Sequence, residues 1–347
     1  MTASRLPFLP CLLALIIAGT GRAQTEPPAP ELPPAAATTD PADTVAAPAD
    51  EPEPMPAAPT EDLRPVATWL EAQIELARRG FSGGSIDGVR GSQSAAALRA
   101  FQRGAGLRET GELDQVTREN LLLTAPALTQ HVLRAEERGR LQPLASTWLG
   151  KSEQTALAYA SVLEMVAEQH HASPVFLKKL NPGLDWENLL PGATIAVPAV
   201  DRATVGGHVT QLQIHLAAHE LEATDGTGRV IAHFPVSIAR NVEKRPVGEL
   251  HVTVVIADPN YTFDPDVFPE SPEAKELGRK LILPPGPNNP VGIAWIGLDR
   301  TGYGIHGTPE PEKVGRTESH GCFRLANWDA RTLLDVAWVG LPVIVEP

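Results

Sequence analysis

At 347 residues with a net charge of −13, the chain is long enough for two or three domains, because single cores rarely grow past roughly 250–300 residues. The acidic balance and the lack of a basic stripe exclude nucleic acid as a partner, since phosphate binding needs a cationic face.

Arg5 precedes an apolar run from Phe8 to Ala18, and Gly21-Arg22-Ala23 supplies small residues that suit a signal peptidase. Residues 1–23 read as a secretory signal, the run being much shorter than the about 20 residues of a membrane span. Cleavage would leave no stable membrane span and would remove Cys11, so the exported chain would hold Cys322 alone. An unpaired thiol in an oxidising compartment is either buried and inert or kept for chemistry. Residues 24–63 are Pro, Ala, Thr and acidic with almost no large apolar side chain, which predicts a disordered linker.

Residues 64–125 carry three short helical patterns. The first, around Trp69, Ile74 and Leu76, stops at Gly80; the second holds Ala97, Leu98 and Phe101; the third holds Val116, Asn120 and Leu121. The order Arg79-Gly80-Phe81, Ile86-Asp87-Gly88, Ala97-Leu98, Phe101-Gln102, Leu107, Gly111 and Leu113 resembles the peptidoglycan-binding domain 1 family. That likeness implies a small all-α three-helix domain. Residues 148–200 contain a helix with Val162, Leu163, Met165 and Val166, a second opened by Ser173-Pro174, and the strand Thr194–Pro198. Leu180-Asn181-Pro182 and Leu190-Pro191-Gly192 resemble the second half of a LysM module, a small α+β unit, although Tyr159-Ala160-Ser161-Val162 stands where the family has Gly-Asp-Thr-Leu. Adjacent His170 and His171 diverge by about 100° on a helix and cannot share a metal ion, so they are expected at the surface.

From residue 208 the period changes to two. Leu212, Ile214 and Leu216, then Val230 to Ile238, then Leu250 to Ile256 alternate with other residues, which predicts antiparallel strands. Asp225-Gly226 is expected to turn the first run into the second. Pro235 fits an edge strand. The segment 258–289, with Tyr261, Phe263, Phe268 and one helical stretch, is long enough for a lid or groove wall. A last helix is expected from Asn327 as N-cap to Gly340, and Val343-Ile344-Val345 closes the sheet.

Cys322 lies two residues after His320 across Gly321. A free thiol is only a few per cent ionised at neutral pH, so a nearby base such as His320 would be needed to activate it. Gly321 leaves room for an acyl group, and the backbone N–H groups of His320, Gly321 and Cys322 are candidate oxyanion donors. Arg324, two positions on, would share the thiol's face on a strand and could grip a carboxylate. His306 could orient a substrate at the same rim. Other readings compete: a buried structural cysteine, or zinc on His306, His320 and Cys322, which lacks a fourth ligand. Gly302-Tyr303-Gly304-Ile305-His306-Gly307 spells a dinucleotide fingerprint, but Thr308-Pro309-Glu310-Pro311 follows where a helix N-terminus should be.

His306, then Ser319-His320-Gly321-Cys322-Phe323-Arg324, resembles the signature of YkuD-type L,D-transpeptidases, and residues 208–346 are similar to that mostly β catalytic domain. Arg245 replaces the threonine usual before Pro246-Val247-Gly248. The resemblance implies a multidomain cell-wall enzyme of the periplasm or cell wall, with no cofactor and no metal. Cys322 would be the nucleophile, His320 the base and then the acid, Ser319 its support and Gly321 part of the site. His306, Arg324, Tyr303 and Gly307 would bind substrate. Peptidoglycan stem peptides and glycan strands are the implied partners, and carbapenem-type β-lactams the implied inhibitors. An L,D-carboxypeptidase or endopeptidase would use the same thiol, and a catalytically inactive wall-binding protein is the reading of another class.

Overall fold

The computed structural model describes residues 63–200, 202–267, 271–316 and 321–347. The expected signal, nearly all of the linker, Phe268, Ser319 and His320 lie outside them. No helix among the described residues is long and apolar enough to cross a membrane.

The first module pairs β1 (Arg64–Pro65) with β2 (Leu122–Leu123) around α1 (Trp69–Arg78), α2 (Ser92–Gly104) and α3 (Gln115–Asn120). Thr68 caps α1 by accepting from the Glu71 N–H at 3.2 Å. Gly80, at φ +82, carries the chain out of that helix in the left-handed region. Leu76, Leu98, Phe101 and Leu121 fill the core at the spacing read from the sequence.

The next stretch runs β3 (Leu128–Val132), α4 (Ala135–Gly139), α5 (Trp148–Glu153), α6 (Val162–Gln169), α7 (Pro174–Leu180) and β4 (Thr194–Pro198). β3 and β4 pair antiparallel, so the strand that completes this unit lies ahead of residue 148, outside the expected bounds. Met165, Val166, Leu177 and Ile195 pack between helices and strands. His170 and His171 are buried, contrary to the surface position expected of them. The ring of His170 meets the Pro198 carbonyl and the His131 ring, each at 3.2 Å. His171 turns out of α6 at φ +51 and stacks on Trp328.

The third module is a curled sheet built from β5 (Gln211–His215), β6 (Glu220–Thr224), β7 (Val230–Pro235) and β8 (Gly248–Ala257), with β11 (Ala294–Leu298), β12 (Gly304–His306), β13 (Phe323–Arg324) and β14 (Pro342–Glu346) following later in the chain. Its order is β13-β12-β11-β8-β14-β5-β6-β7. Most pairs are antiparallel, but β12–β13 and β14–β5 are parallel. β6 was not anticipated: Asp225-Gly226 joins β6 to β7, and the turn before β6 passes through His219 at φ +59. β7, with Pro235 at its end, is one edge of the described sheet, as its proline suggested, and β13 is the other. Between β8 and β11 the chain forms a hairpin of β9 (Tyr261–Phe263) and β10 (Leu281–Leu283) spanning α8 (Pro272–Leu277). Its apolar side packs on Leu149 and Leu157, and the Trp148 ring stacks on Phe263 at 4.4 Å. α9 (Asn327–Val336) begins one residue after its N-cap Ala326 and ends before the expected Gly340.

The modules are fastened to one another. His233 on β7 exchanges backbone hydrogen bonds with Gly80 and Ser82 of the first module, and a Cβ on Gly104 would stand 2.3 Å from the Val230 carbonyl oxygen. Arg103 reaches both carboxylate oxygens of buried Glu222 on β6 at 2.8 and 2.7 Å. Ser82 donates to Asp329 of α9 at 3.0 Å.

Two buried carboxyls sit at these junctions. Burial pushes Asp329 up to about 8, against the hydrogen bond from Ser82. Burial likewise pushes Glu168 up to about 7, opposed by hydrogen bonds from Asn327 and Tyr159. An acid whose folded pKa is raised loses its stabilising contribution as pH rises through that folded value. His233 and His306 are pulled below their usual value mainly by burial, so their effect falls mostly below about pH 6.5. Between about pH 6 and pH 8 the fold is therefore expected to lose on the order of 3 kcal/mol. Thermal melts of wild type and Asp329→Asn at both pH values check this: the wild-type midpoint should drop and the variant's drop should be at most about half as large. An unchanged wild-type midpoint would contradict it.

Candidate active site

Three short strands position the residues singled out by the signature. Ile296, Ile305 and Phe323 are fully buried in the core of the sheet. Alternation along a strand then puts Trp295, Gly304, His306 and Arg324 on the opposite face. The register aligns them, with Trp295 opposite His306 and His306 opposite Arg324. Cys322 immediately precedes β13 with the same parity as Arg324. Its half-buried Sγ lies 3.5 Å from the Gly302 carbonyl oxygen, to which the thiol donates. The sheet thus brings His306 and Arg324 to one face, with Cys322 in the bend that leads into β13.

His306 is buried, and its Nδ1–H donates to the Gly307 carbonyl at 2.6 Å. A carbonyl can only accept, so this contact fixes the tautomer and leaves Nε2 with its lone pair. Burial first, and then the Arg324 guanidinium charge, lower the imidazole pKa to about 4. His306 is therefore neutral at pH 7. It cannot pair with a thiolate as a cation, whereas it can accept a hydrogen bond at Nε2. The Trp295 ring stacks on it, centroids 5.6 Å apart and 20° from parallel.

Arg324 borders a small polar pocket lined by Ser237, Thr308, Glu310, Lys313 and Val314. Its Nε is buried with no hydrogen-bond partner among the described residues. A buried guanidinium nitrogen left unsatisfied is costly, and a carboxylate is the group whose geometry best matches it.

The other two residues expected to bind substrate, Tyr303 and Gly307, flank β12. Tyr303 shares parity with Ile305, packs against the core and lies under the Arg300 guanidinium at 4.9 Å; the strand is three residues long, too short for its facing to be read from periodicity. Gly307 faces Asn327, where an added Cβ would lie 2.2 Å from Oδ1. The glycine is required there by space. Sequence reasoning also missed Trp295, whose indole covers Gly304 closely enough that a Cβ on that glycine would meet the ring at 2.7 Å. An aromatic between two apolar strand residues carries no signal of that facing.

Comparison with known proteins finds two family matches and several similar proteins. The family described as "L,D-transpeptidase catalytic domain" matches residues 210–345, and that described as "Putative peptidoglycan binding domain" matches residues 67–121. The "Putative L,D-transpeptidase YkuD" of Bacillus licheniformis is 24% identical over 185 residues, covering 53% of this chain and 93% of that protein. The "Putative L,D-transpeptidase YqjB" of Bacillus subtilis is 32% identical over 117 residues, covering 32% of this chain and 57% of that protein. Among solved structures, an L,D-transpeptidase from Mycobacterium smegmatis aligns at 20% identity and a TM-score of 0.32, over 46% of this chain and 65% of that one. The family models thus find an L,D-transpeptidase catalytic domain over residues 210–345, behind a putative peptidoglycan binding domain over residues 67–121.

Proposed function

We propose that this chain is an exported L,D-transpeptidase that cross-links peptidoglycan through a thioester on Cys322. The observation that carries the reading is the pairing of His306 with Arg324, beside the bend that holds Cys322, within the residues matched by that family. His320 takes the thiol proton, with Ser319 supporting it, and the thiolate attacks the carbonyl carbon of the third residue of a donor tetrapeptide stem. The oxyanion is met by backbone N–H groups around Gly321, donors whose loss elsewhere costs about 3 kcal/mol of barrier. The amide C–N bond breaks, His320 returns the proton to the leaving D-alanine amine, and the thioester remains. An acceptor amine then attacks the thioester carbonyl and gives up its proton to His320. The new amide forms as the thiolate leaves. Arg324 takes a stem carboxylate, and neutral His306 accepts a hydrogen bond from the bound peptide. The first module and the unit from β3 to β4, read as LysM-like, hold glycan strands nearby.

Incubation of the protein with sacculi rich in tetrapeptide stems, followed by mass spectrometry of the muropeptides, tests the reaction. Dimers cross-linked between third residues of two stems, with release of D-alanine, are expected. Tripeptides alone would show that water resolves the acyl-enzyme, and would make the protein a carboxypeptidase. No change in the stems together with retained sacculus binding would leave a binding protein.

A further inference from the structure

The turn that ends β12 is held by a residue of α9, and that residue is in turn held by α6, in the β3–β4 unit in front. Asn327 is fully buried. Its Oδ1 fits between Gly307 and Gly292, where a Cβ would stand 2.2 and 2.0 Å away, and accepts the Ile293 N–H at 3.3 Å. Its Nδ2 donates to the Pro287 carbonyl at 3.1 Å and to Glu168 Oε1 at 3.0 Å. Glu168 lies on α6, is itself buried, and also accepts from the Tyr159 hydroxyl at 3.0 Å. One turn earlier on α6, Glu164 accepts from Asn288 at 2.6 Å, and Leu157 accepts the Asn288 N–H at 2.9 Å. The strap from Asn288 to Ile293 that feeds β11 is therefore gripped by the front unit on one side and by Asn327 on the other.

An amide side chain can occupy this slot in two orientations that exchange its oxygen and nitrogen. Only two acceptors facing Nδ2 keep the oxygen toward Ile293 and the glycines. One of the two is a backbone carbonyl of the catalytic domain, and the other is Glu168. We propose that Glu168 is a positioning residue for catalysis: through Asn327 it fixes the His306–Gly307 turn, so that the unit in front of the catalytic domain completes the active site. The inference rests on the acyl-transfer reading only for its kinetic consequence. The geometric consequence, a change at the His306 ring, does not depend on it.

The test uses the full-length protein and three variants. Glu168→Leu keeps bulk and removes the acceptor. Glu168→Gln keeps an oxygen for Asn327. Leu177→Ala opens a cavity in the core of the same unit without touching Glu168. Kinetics on a tetrapeptide stem are read beside nitrogen NMR of the histidine rings, with the His306 signals identified by their loss in His306→Gln. Glu168→Leu is expected to shift the His306 ring signals and to lower kcat about 10-fold or more, because small misplacements are costly in catalysis, with KM within about twofold. Glu168→Gln should recover most of both, and Leu177→Ala should leave the ring signals in place. If Glu168→Leu does not fold, Asn327→Asp, which turns an oxygen toward Glu168, is expected to shift the same signals. Unshifted His306 signals in the folded Glu168→Leu or Asn327→Asp protein, or an equal shift in Leu177→Ala, would overturn the proposal. Wild type that turns over no stem peptide would defeat the acyl-transfer reading instead, while the ring spectra would still decide the positioning.

Discussion

Replacing Cys322 with alanine is expected to lower turnover by at least about 1,000-fold and to leave the fold intact. The first half follows from covalent chemistry: without sulfur no thioester forms, and removal of a nucleophile leaves only the rate supplied by binding and oxyanion stabilisation. The second half follows from the small size of the group removed. It is half-buried and donates a long, weak bond to the Gly302 carbonyl at 3.5 Å. The thiol is a small apolar group there, and truncation by one atom costs little. Melting within about 2 °C of wild type is anticipated, because a shift that size corresponds to under about 1 kcal/mol in a chain of this length. Intact-mass spectrometry after exposure to a carbapenem supplies a second measurement. Wild type should gain one acyl adduct and Cys322→Ala none. An adduct that persists in the variant, or turnover within tenfold of wild type, would remove Cys322 from the role of nucleophile.

What the sequence disclosed depended on whether the determining contacts were local. The run Ser319–Arg324 is contiguous, and the opposite facing of Phe323 and Arg324 follows from a period of two that needs no partner to define it. The strands at 211–215, 230–235 and 248–257 were legible for the same reason. The strand Glu220–Thr224 alternates too, but its polar members hid it: Glu222 is buried because Arg103, 119 residues earlier, reaches its carboxylate. His170 and His171 look like solvated residues until His131 and Trp328 are brought against them. The same holds for the junctions. Ser82 with Asp329 and Glu168 with Asn327 pair residues from different modules, and nothing in either neighbourhood encodes the other. Sequence patterning described three modules in a row, whereas the polar residues that unite them are visible only once folded.

Gly307 provides the sharpest test of that distinction, since it was expected to serve the substrate and its missing side chain faces a packed amide. Gly307→Ala is expected to destabilise the protein by about 2 kcal/mol in the absence of any substrate, within the range for overpacking a filled interior. Its φ lies outside the left-handed region, so backbone strain does not contribute. The new methyl would stand 2.2 Å from Asn327 Oδ1, and Asn327 cannot yield freely because Ile293, Pro287 and Glu168 all hold its amide. The Gly292 α-carbon, at 3.2 Å, blocks the other side. Since the displaced strand end carries His306, turnover should fall by about 10-fold or more as well. A double-mutant cycle separates this collision from a general loss. Asn327→Ala alone should be destabilising, because it strands the Ile293 N–H, but adding Gly307→Ala to it should cost under about 0.5 kcal/mol, since the oxygen in the way is gone. Non-additivity of more than about 1 kcal/mol is then expected, as for residues in direct contact. Additive effects in denaturant melts would show that the alanine at 307 is accommodated elsewhere, and a wild-type midpoint for Gly307→Ala with only KM raised would return the glycine to the substrate groove.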